Sequence, residues 1–465
     1  MESDFLVSYA FTLPEGVGHW LSMPKYFKRL FSPSSAITLK IEPMIPYDRD
    51  TGMLSKIIRS AVVSWLFIMP AFAQDFHFDH SISRPVLENY LARSMTFVGL
   101  LQDDLSEPRN KQGVDPHDNI RLILNTKAKF IGRTIKIWGN ETGLLDSLKT
   151  AKPFAAAIHK ADPDIILQAG EFEVISPKVG SLTVPKSVLL EFGQPVTDRT
   201  FRYDQIIYPS GQAPHHEGSD KAVPDMSRVE TRLWFYYLAT SYIDAGIEAI
   251  HFGQVSLMDK NDPGHKHWLD MLGRVRAYAQ QHARRHFVLC DAHEPHGGMV
   301  ENGKLLFDFH SKPLRIVEVP NQPYKGILQV GYADSIYQAS KGGITPSGWS
   351  CDHLPYLVEF DNFGGMVHAP GKPSKKPFIW GWDEITWFGL MPEKERNEWL
   401  RYAWNWLKQA DPNGHLEMPG GRVMFPGKDV KGPEWFWANT RSPACPEGFN
   451  TEQTIKEIWE HQPAG

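Results

Sequence analysis

Residues 286–293 read His-Phe-Val-Leu-Cys-Asp-Ala-His, an apolar run of four residues that ends in polar groups. A short apolar run with this ending is typical of a strand buried on both faces of a parallel sheet. The same pattern recurs seven times along the chain, so the sequence predicts eight strands. The other predicted strands are 129–133, 164–173, 249–254, 314–319, 326–332, 356–361 and 378–384.

Helical patterns lie between several of these runs. Pro153 is expected to begin a helix over 154–160. Ser227 and Glu230 have the spacing of a capping box for a helix over 229–245. Further helices are predicted over 86–102 and 267–284 and after Pro392, and a hairpin over 300–305.

The alternation of strands and helices indicates an α/β fold, and the strand number favours an irregular (β/α)8 TIM-type barrel. Its second half is irregular because a hairpin and a long Gly/Ser loop take the place of helices. We place this barrel at 119–415. A helix and loop (74–118) precede it, and a small C-terminal extension (416–465) is expected to pack on it.

Residues 53–73 have the order of a secretory signal peptide. A basic start with Lys56 and Arg59 precedes a short apolar run, and Ala71-Phe72-Ala73 forms an A-x-A cleavage site. The run is too short to span a bilayer, which disfavours a retained anchor; a buried core helix is the other alternative. We therefore expect a secreted or periplasmic protein that begins at Gln74, with 1–52 a spurious or disordered extension.

Composition limits the classes of partner. The chain is 42% hydrophobic and 22% charged with a net charge of −5, as in a globular protein without a basic surface for nucleic acid. Three cysteines are too few for a disulfide framework, although one bridge stays open. No phosphate-binding or dinucleotide motif occurs, so no cofactor is expected. The oligomeric state is not predicted.

The carboxyl ends of the predicted strands carry the chemistry, because a barrel's active site lies at that face. Buried carboxylates are costly unless they are paired or used. Glycosidic cleavage needs two of them, one to protonate the leaving oxygen and one to attack or activate water. Aromatic rings there would pack on sugars. The side chains at these ends are Arg133, Trp138, Glu171, Glu173, His251, Gln254, Asp291, His293, Glu294, Glu318, Asp334, Glu359, Asp361, Trp382, Asp383 and Glu384.

Because its predicted strands end in acidic side chains and its closing loops are rich in tryptophan, the region 119–410 resembles the TIM-barrel glycoside hydrolases. In their large retaining clan the acid/base follows strand four and the nucleophile lies on strand seven. By the predicted count these strands end at Asp291 and Glu359, and Glu294-Pro295 is similar to the clan's Asn-Glu-Pro with His293 in place of Asn. The strings 250–254 and 290–293 also resemble secreted bacterial hydrolase-like proteins.

The resemblance implies an enzyme that cleaves an oligo- or polysaccharide. Glu359 and Asp291 are the first catalytic pair, with Asp361 in reserve. The expected substrate-binding residues are Arg133, Trp138, Glu173, His251, Gln254, His293, Glu318, Trp382, Asp383 and Glu384. The sugar, the linkage and the stereochemical outcome stay open.

Two alternatives remain at this point. The first is a non-catalytic carbohydrate-binding barrel. The second is a metal-dependent hydrolase in which His251, His293, His310 and Asp291 gather as ligands, although no His-Glu-x-x-His motif is present. Each acidic residue also has a purely structural interpretation, for example Asp361 as a turn residue and Asp383 as a helix cap.

Overall fold

Ten of the described strands belong to two sheets whose strands are mainly parallel. The computed structural model describes residues 74–209, 218–322, 324–362, 371–374, 377–427 and 432–461. The first sheet contains β1 (Ser94–Phe97), β2 (Phe130–Lys136), β3 (Ile166–Gly170), β4 (Ala249–His251) and β5 (Leu289–Asp291). Further along the chain come β6 (His310–Pro313), β7 (Tyr356–Glu359), β8 (Gly414–Leu416), β9 (Met418–Val423) and β10 (Trp435–Trp437), the last an antiparallel edge strand.

The order of the strands makes this an α/β fold with a parallel sheet. The larger sheet has the order β10-β9-β1-β2-β3-β4-β5, and the smaller has β8-β7-β6. Two links run between them. The Ser311 N–H donates to the Ala292 carbonyl over 3.1 Å beyond β5, and a parallel bridge joins His293 to Ser311. On the other side only Glu417 separates β8 from β9.

The helices cover the sheets and mostly follow the predicted pattern. The helix over Glu393–Ala410 begins after Pro392, and the hairpin of Val300–Glu301 with Lys304–Leu305 forms as predicted. The α-helices are Arg84–Leu91, Pro116–Thr126, Leu144–Ala161, Lys186–Glu191, Val229–Asp244, Val255–Met258, Lys266–His282, Glu384–Leu390, Glu393–Ala410 and Glu452–Glu460. Single 3-10 turns lie at Leu100–Gln102, Glu141–Gly143, Pro177–Ser181, Tyr203–Gln205, Pro263–His265 and Pro295–Gly297.

Several local predictions are wrong. Pro153 lies inside the helix Leu144–Ala161 instead of beginning one. The capping box is absent, because Glu230 accepts hydrogen bonds from Arg199 and from the Arg202 N–H. The segments 314–319 and 326–332 contribute only two residues each to one antiparallel pair, and 378–384 leads into a helix. Apolar content alone did not distinguish these loops from buried strands.

Among the strands that the sequence did not predict, β1 and β9 were missed for opposite reasons. β1 lies inside the segment predicted as the helix 86–102, whose helical part ends at Leu91. β9 lies in the predicted extension and reads Met-Pro-Gly-Gly-Arg-Val, a loop-like composition. Its glycines are required, since a Cβ at Gly420 or Gly421 would lie 2.7 Å from the Phe97 ring. Counting β1, Asp291 ends the fifth parallel strand and His251 the fourth, which corrects the predicted count.

Two clusters of buried apolar side chains hold these elements together. Fully buried Trp268, Trp387 and Trp459 are among the largest side chains of the larger cluster, and the tryptophan-rich helix Glu393–Ala410 buries Trp404 and Leu407 in it. The part of the chain that the structure describes contains no helix that is long and apolar enough to cross a membrane. The predicted signal peptide lies outside the described residues.

Candidate active site

Glu359, at the carboxyl end of β7, is the centre of a buried charged cluster. Its carboxylate accepts hydrogen bonds from Arg133 over 2.5 Å and from Arg422 over 2.9 Å, and His293 Nε2 lies 2.8 Å away. The side chain is completely buried. Burial raises its pKa, but Arg133, the His293 hydrogen bond and Arg422 together hold the pKa well below the usual value. Glu359 is therefore a carboxylate at neutral pH.

Arg133 reaches Glu359 because β2 is irregular at this point. Its register against β3 shifts between Ile131 and Ile135, and Arg133 has a φ of 60°, which is uncommon for a residue with a side chain. The preceding Gly132 has no room for a side chain, since a Cβ would lie 2.1 Å from a carboxylate oxygen of Glu417. Such irregularities in strands often redirect a side chain into a site.

Asp291, at the end of β5, forms a second buried group. One oxygen accepts from the Gln168 amide over 2.7 Å, and the other accepts from the Ser311 hydroxyl over 2.7 Å and lies 2.8 Å from His251 Nδ1. Burial raises the pKa of Asp291 to about 7. Burial, Arg133 and His293 lower the pKa of His251 well below its usual value. Asp291 therefore keeps its proton up to neutral pH while His251 stays neutral.

Two histidines connect these groups. The His251 and His293 rings meet edge to face with their centroids 4.8 Å apart. His251 bonds Asp291, and His293 bonds Glu359. His251 is fully buried, and its Nε2 atom has no hydrogen-bond partner in the described structure. The predicted residues Arg133, His251, Asp291, His293 and Glu359 thus form one network.

Arg422 joins Asp361 to this network. Its Nη1 binds Glu359 and its Nη2 binds Asp361 over 3.0 Å. The Asp361 side chain is 17% exposed and that of His293 is 12% exposed, whereas Glu359 is at 0%. Asp361 and His293 therefore form the accessible edge of the cluster. Arg422 was missed because it lies on β9, which the sequence does not mark as a strand.

Glu417, between β8 and β9, was missed for the same reason. It is buried, and its pKa is raised to about 8 by burial and by the charge of Glu359, against the opposing effect of Arg133.

Lys136, at the end of β2, is another residue that the sequence did not predict for the site. Its ammonium lies 5.3 Å from the centre of the Trp138 ring and 5.7 Å from that of Phe172, and burial, Arg422 and Arg133 lower its pKa to about 8. Of these, only Trp138 was predicted.

Other predicted site residues have their hydrogen-bond partners outside this network. Glu173 accepts from the backbone and side-chain amides of Gln254, over 2.8 and 2.7 Å. Glu318 accepts from the Ser374 and Trp380 N–H groups. The Trp382 indole donates to the Pro426 carbonyl over 3.0 Å. Most of these hydrogen bonds join a side chain to a backbone group, so these residues hold loops in place.

Asp383 and Glu384 have structural contacts of the same kind. Asp383 caps the helix Glu384–Leu390 by accepting from the Thr386 N–H over 2.8 Å. Glu384 accepts from the backbone N–H groups of Leu314, Arg315 and Asp361. Burial raises the pKa of Asp383 to about 7 and that of Glu384 to about 8. The alternative of Asp383 as a helix cap is therefore confirmed.

Two carboxyls noted at strand ends lack polar partners altogether. Both oxygens of Glu171 and both of Glu294 are buried, with no hydrogen-bond partner in the described structure. Burial raises the pKa of each well above its usual value. Glu171 directly follows β3, and Glu294 lies three residues after the end of β5.

The four residues considered as metal ligands do not converge. Within the described ranges, the only group of three or more histidine, cysteine or acidic side chains close enough to share an ion is Asp79, His80 and His286. His251 and His293 instead direct ring nitrogens to two different carboxylates. The arrangement at the strand ends is thus a set of titratable carboxyls and cations.

No family model matches the chain, and no curated protein matches it. Among solved structures, a debranching enzyme from Nostoc punctiforme is similar with a TM-score of 0.44, 11% identity and 80% of each chain covered. A trehalose-6-phosphate hydrolase from Bacillus licheniformis has a TM-score of 0.26, 10% identity and 45% of each chain covered. These neighbours are glycoside hydrolases. Likeness at this level does not transfer chemistry, so the function has to be inferred from the site.

Proposed function

We propose that the protein hydrolyses a glycosidic bond at the carboxyl ends of its parallel strands, with Glu359 and Asp291 in the two carboxylate roles. One observation carries the proposal: the surroundings of these two groups move their pKa values in opposite directions. An ionised carboxylate and a protonated carboxyl at the same pH are what this hydrolysis needs. The bond to the leaving oxygen breaks as that oxygen gains the proton of Asp291, and the attacking water supplies the hydroxyl on the anomeric carbon and returns its other proton to Asp291.

The roles follow from the hydrogen bonds. Glu359 is ionised and would stabilise the positive charge that develops on the sugar. Asp291 is the proton source, and the two histidine rings lie between it and Glu359. Because both carboxyls are buried, the substrate would meet the cluster at its accessible edge, His293 and Asp361.

A sugar also needs an apolar surface and polar partners. Trp138 and Phe172 meet edge to face with centroids 4.9 Å apart beside the Lys136 ammonium. Aromatic faces pack on the apolar faces of sugar rings, and ammonium and carboxylate groups bind hydroxyls. The proposed partner is therefore an oligo- or polysaccharide.

We further infer that β1–β7 and the continuous β8–β9 segment close into one (β/α)8 barrel. The support comes from the two links between the sheets, at Ala292–Ser311 and at Glu417. In such a barrel the strand ends converge on one face, which accounts for the contact of Arg133 on β2 with Glu359 on β7. The barrel would run from β1 to β9.

Export is also part of the proposal. The support is the order of residues 53–73, which would be removed to leave Gln74 as the first residue. N-terminal sequencing of the protein from the culture medium or periplasm should read Gln-Asp-Phe. A chain that retains Met1 or Met53 would contradict it.

The function is tested by incubating the protein with a panel of neutral and acidic oligosaccharides and analysing the products. Wild type and Glu301→Gln, a hairpin control, should cleave at least one substrate, whereas Glu359→Gln should bind that substrate without cleaving it. Binding without cleavage by every form would favour the carbohydrate-binding alternative. Activity that a chelator removes and added metal restores would favour the metal-dependent one.

A further inference from the structure

Three side chains with metal-binding atoms meet on the surface, away from the strand-end cluster. Asp79 and His80 belong to the first described segment, and His286 lies just before β5. One ligand atom from each lies within 4.8 Å of the other two. The three side chains are about half exposed, with exposed fractions of 48%, 65% and 46% in that order.

The contacts within the trio point the ligand atoms toward one another. His286 Nδ1 lies 2.8 Å from one oxygen of Asp79, and His80 Nε2 lies 3.7 Å from the other. The two imidazole rings are stacked with centroids 4.6 Å apart and planes at 16°. Two nitrogens and a carboxylate oxygen therefore share one small volume of solvent-accessible space.

The backbone holds the two histidines in position. The His80 N–H donates to the Arg285 carbonyl over 3.0 Å, which pairs the loop of His80 with the residue before His286. His80 and His286 both have left-handed backbone conformations, with φ of 58° and 49°. Residues with side chains adopt this conformation at a cost in conformational free energy. The surrounding fold therefore holds both rings in an orientation that neither loop would favour alone.

We propose that Asp79, His80 and His286 bind a zinc ion, with water as the fourth ligand. Two imidazole nitrogens and a carboxylate oxygen are a ligand set that Zn²⁺ accepts in a tetrahedral site. Ligand atoms around tetrahedral zinc are about 3.3 Å apart, which follows from bond lengths of about 2.0–2.1 Å. The three ligand atoms now lie within 4.8 Å of one another, so binding would require small rotations of these side chains.

The ion would act as a structural link. His286 precedes β5 at its amino end, whereas Asp291 lies at its carboxyl end. The zinc would therefore lie at the opposite end of the strand from the proposed catalytic groups. Asp79 and His80 lie between Phe78, which packs on the Arg285 guanidinium, and the helix Arg84–Leu91. Zinc would thus fasten the beginning of the described chain to the sheet.

Calorimetric titration of the protein with Zn²⁺, using a tag without histidine, tests the site. Wild type should bind one ion, and its Tm should rise as zinc is added. His286→Ala and His80→Ala should weaken binding at least about tenfold, since loss of a ligand costs no less than loss of a supporting group. His77→Ala is the matched control, because His77 is exposed in the same segment but has no part in the trio. It should bind zinc like wild type.

The site is refuted if wild type and His286→Ala bind zinc equally, or if His77→Ala loses as much affinity as His80→Ala. A Tm that rises equally in all four proteins would also contradict it. Asp79→Asn keeps the shape of the loop and should lower the affinity too, which guards against a folding defect in the alanine variants. Because these residues lie outside the strand-end cluster, glycan cleavage by His286→Ala should match wild type at a temperature where both are folded.

Discussion

Two buried glutamates in this protein each bind two arginines and a histidine, yet they lie at opposite ends of the strands. Glu248, just before β4, contacts Arg284 over 2.8 Å, Arg285 over 3.1 Å and His159 over 3.4 Å. Burial keeps its pKa raised although both arginines lower it. Glu359, at the carboxyl end of β7, has similar partners but a pKa held well below its usual value.

The two clusters differ in what their arginines bind besides the glutamate. Arg285 also donates to the Phe76 and Pro163 carbonyls, so it ties loops together. Arg422 instead binds a second carboxylate, Asp361, and lies near buried Glu417. A carboxylate with two arginines is therefore no sign of catalysis by itself. What distinguishes the Glu359 cluster is that Arg422 holds a second carboxylate, Asp361, whose side chain is 17% exposed.

The largest expected effect separates the clusters by function. Glu359→Gln should lower kcat/KM on a cleaved glycan by about 10³-fold or more, because the ionised carboxylate is lost. Glu248→Gln should keep the activity but lower the free energy of unfolding by about 3 kcal/mol, since it leaves buried cations without a counter-charge. Urea unfolding and kinetics on both variants, at a temperature where both are folded, provide the measurement. Equal losses of activity would remove the distinction.

Arg422→Lys should have the next largest effect. A lysine is a point charge and cannot hold Glu359 and Asp361 with two arms of a planar fork. We expect kcat/KM to fall by about 10²-fold. The acidic limb of the pH profile should move to higher pH, because the pKa of Glu359 rises when a hydrogen-bonded guanidinium is replaced by a shorter cation that cannot bind both carboxylates. Arg285→Lys is the matched control and should leave the pH profile unchanged. An unshifted acidic limb in Arg422→Lys would argue against Glu359 as the ionised group.

The alkaline side of the pH profile tests Asp291. Its pKa of about 7 means that the proton is present below neutral pH and lost above it, so activity should fall as the pH rises through 7. Asp291→Asn cannot lose a proton in this range, and its residual activity should have no alkaline limb there. A limb that persists in Asp291→Asn belongs to another group, such as Lys136 with a pKa of about 8.

The smallest expected effect is on the pH dependence of the protein's stability. Asp291 and Asp383, with pKa values of about 7, and Glu384 and Glu417, with values of about 8, hold protons that the unfolded chain releases above about pH 4. A raised folded pKa stabilises the fold at low pH, and that stability declines as the pH rises to about 8. The decline of Tm from about pH 4 to about pH 8 should be less steep in Glu384→Gln than in wild type, because the variant lacks one of these protons, with the remote Glu301→Gln as the control. Equal pH profiles of wild type and Glu384→Gln would contradict the raised pKa of Glu384.

The sequence predicted much of the sheet but not its ends. β2 to β5 and β7 each contain a short apolar run, and they were recognised by that pattern. β6 reads His-Ser-Lys-Pro and β9 carries Pro419, Gly420 and Gly421, so neither has the composition of a buried strand. Their places follow from close packing against neighbours that lie far away in the sequence, and composition does not report such contacts.

The same limit applies to the site. Arg133, Asp291, His293 and Glu359 follow recognised strands, so their meeting could be predicted from a parallel arrangement. The partners that set the pKa values could not. Arg422 and Glu417 lie on or beside the unrecognised β9, and Gln168 lies inside β3 instead of at its end. Glu318 and Glu384 also follow apolar runs, but their oxygens are bound by backbone N–H groups of loops, which only the structure reveals.

The division of roles between Glu359 and Asp291 is tested most directly by neutron diffraction from a deuterium-exchanged crystal at about pH 6, one unit below the pKa of about 7 for Asp291. Two deuterons should be seen on the Asp291–His251 pair, one on the carboxyl and one on the ring, and none on Glu359. A single deuteron on that pair, or a deuteron on Glu359, would contradict the proposed division of the two carboxylate roles.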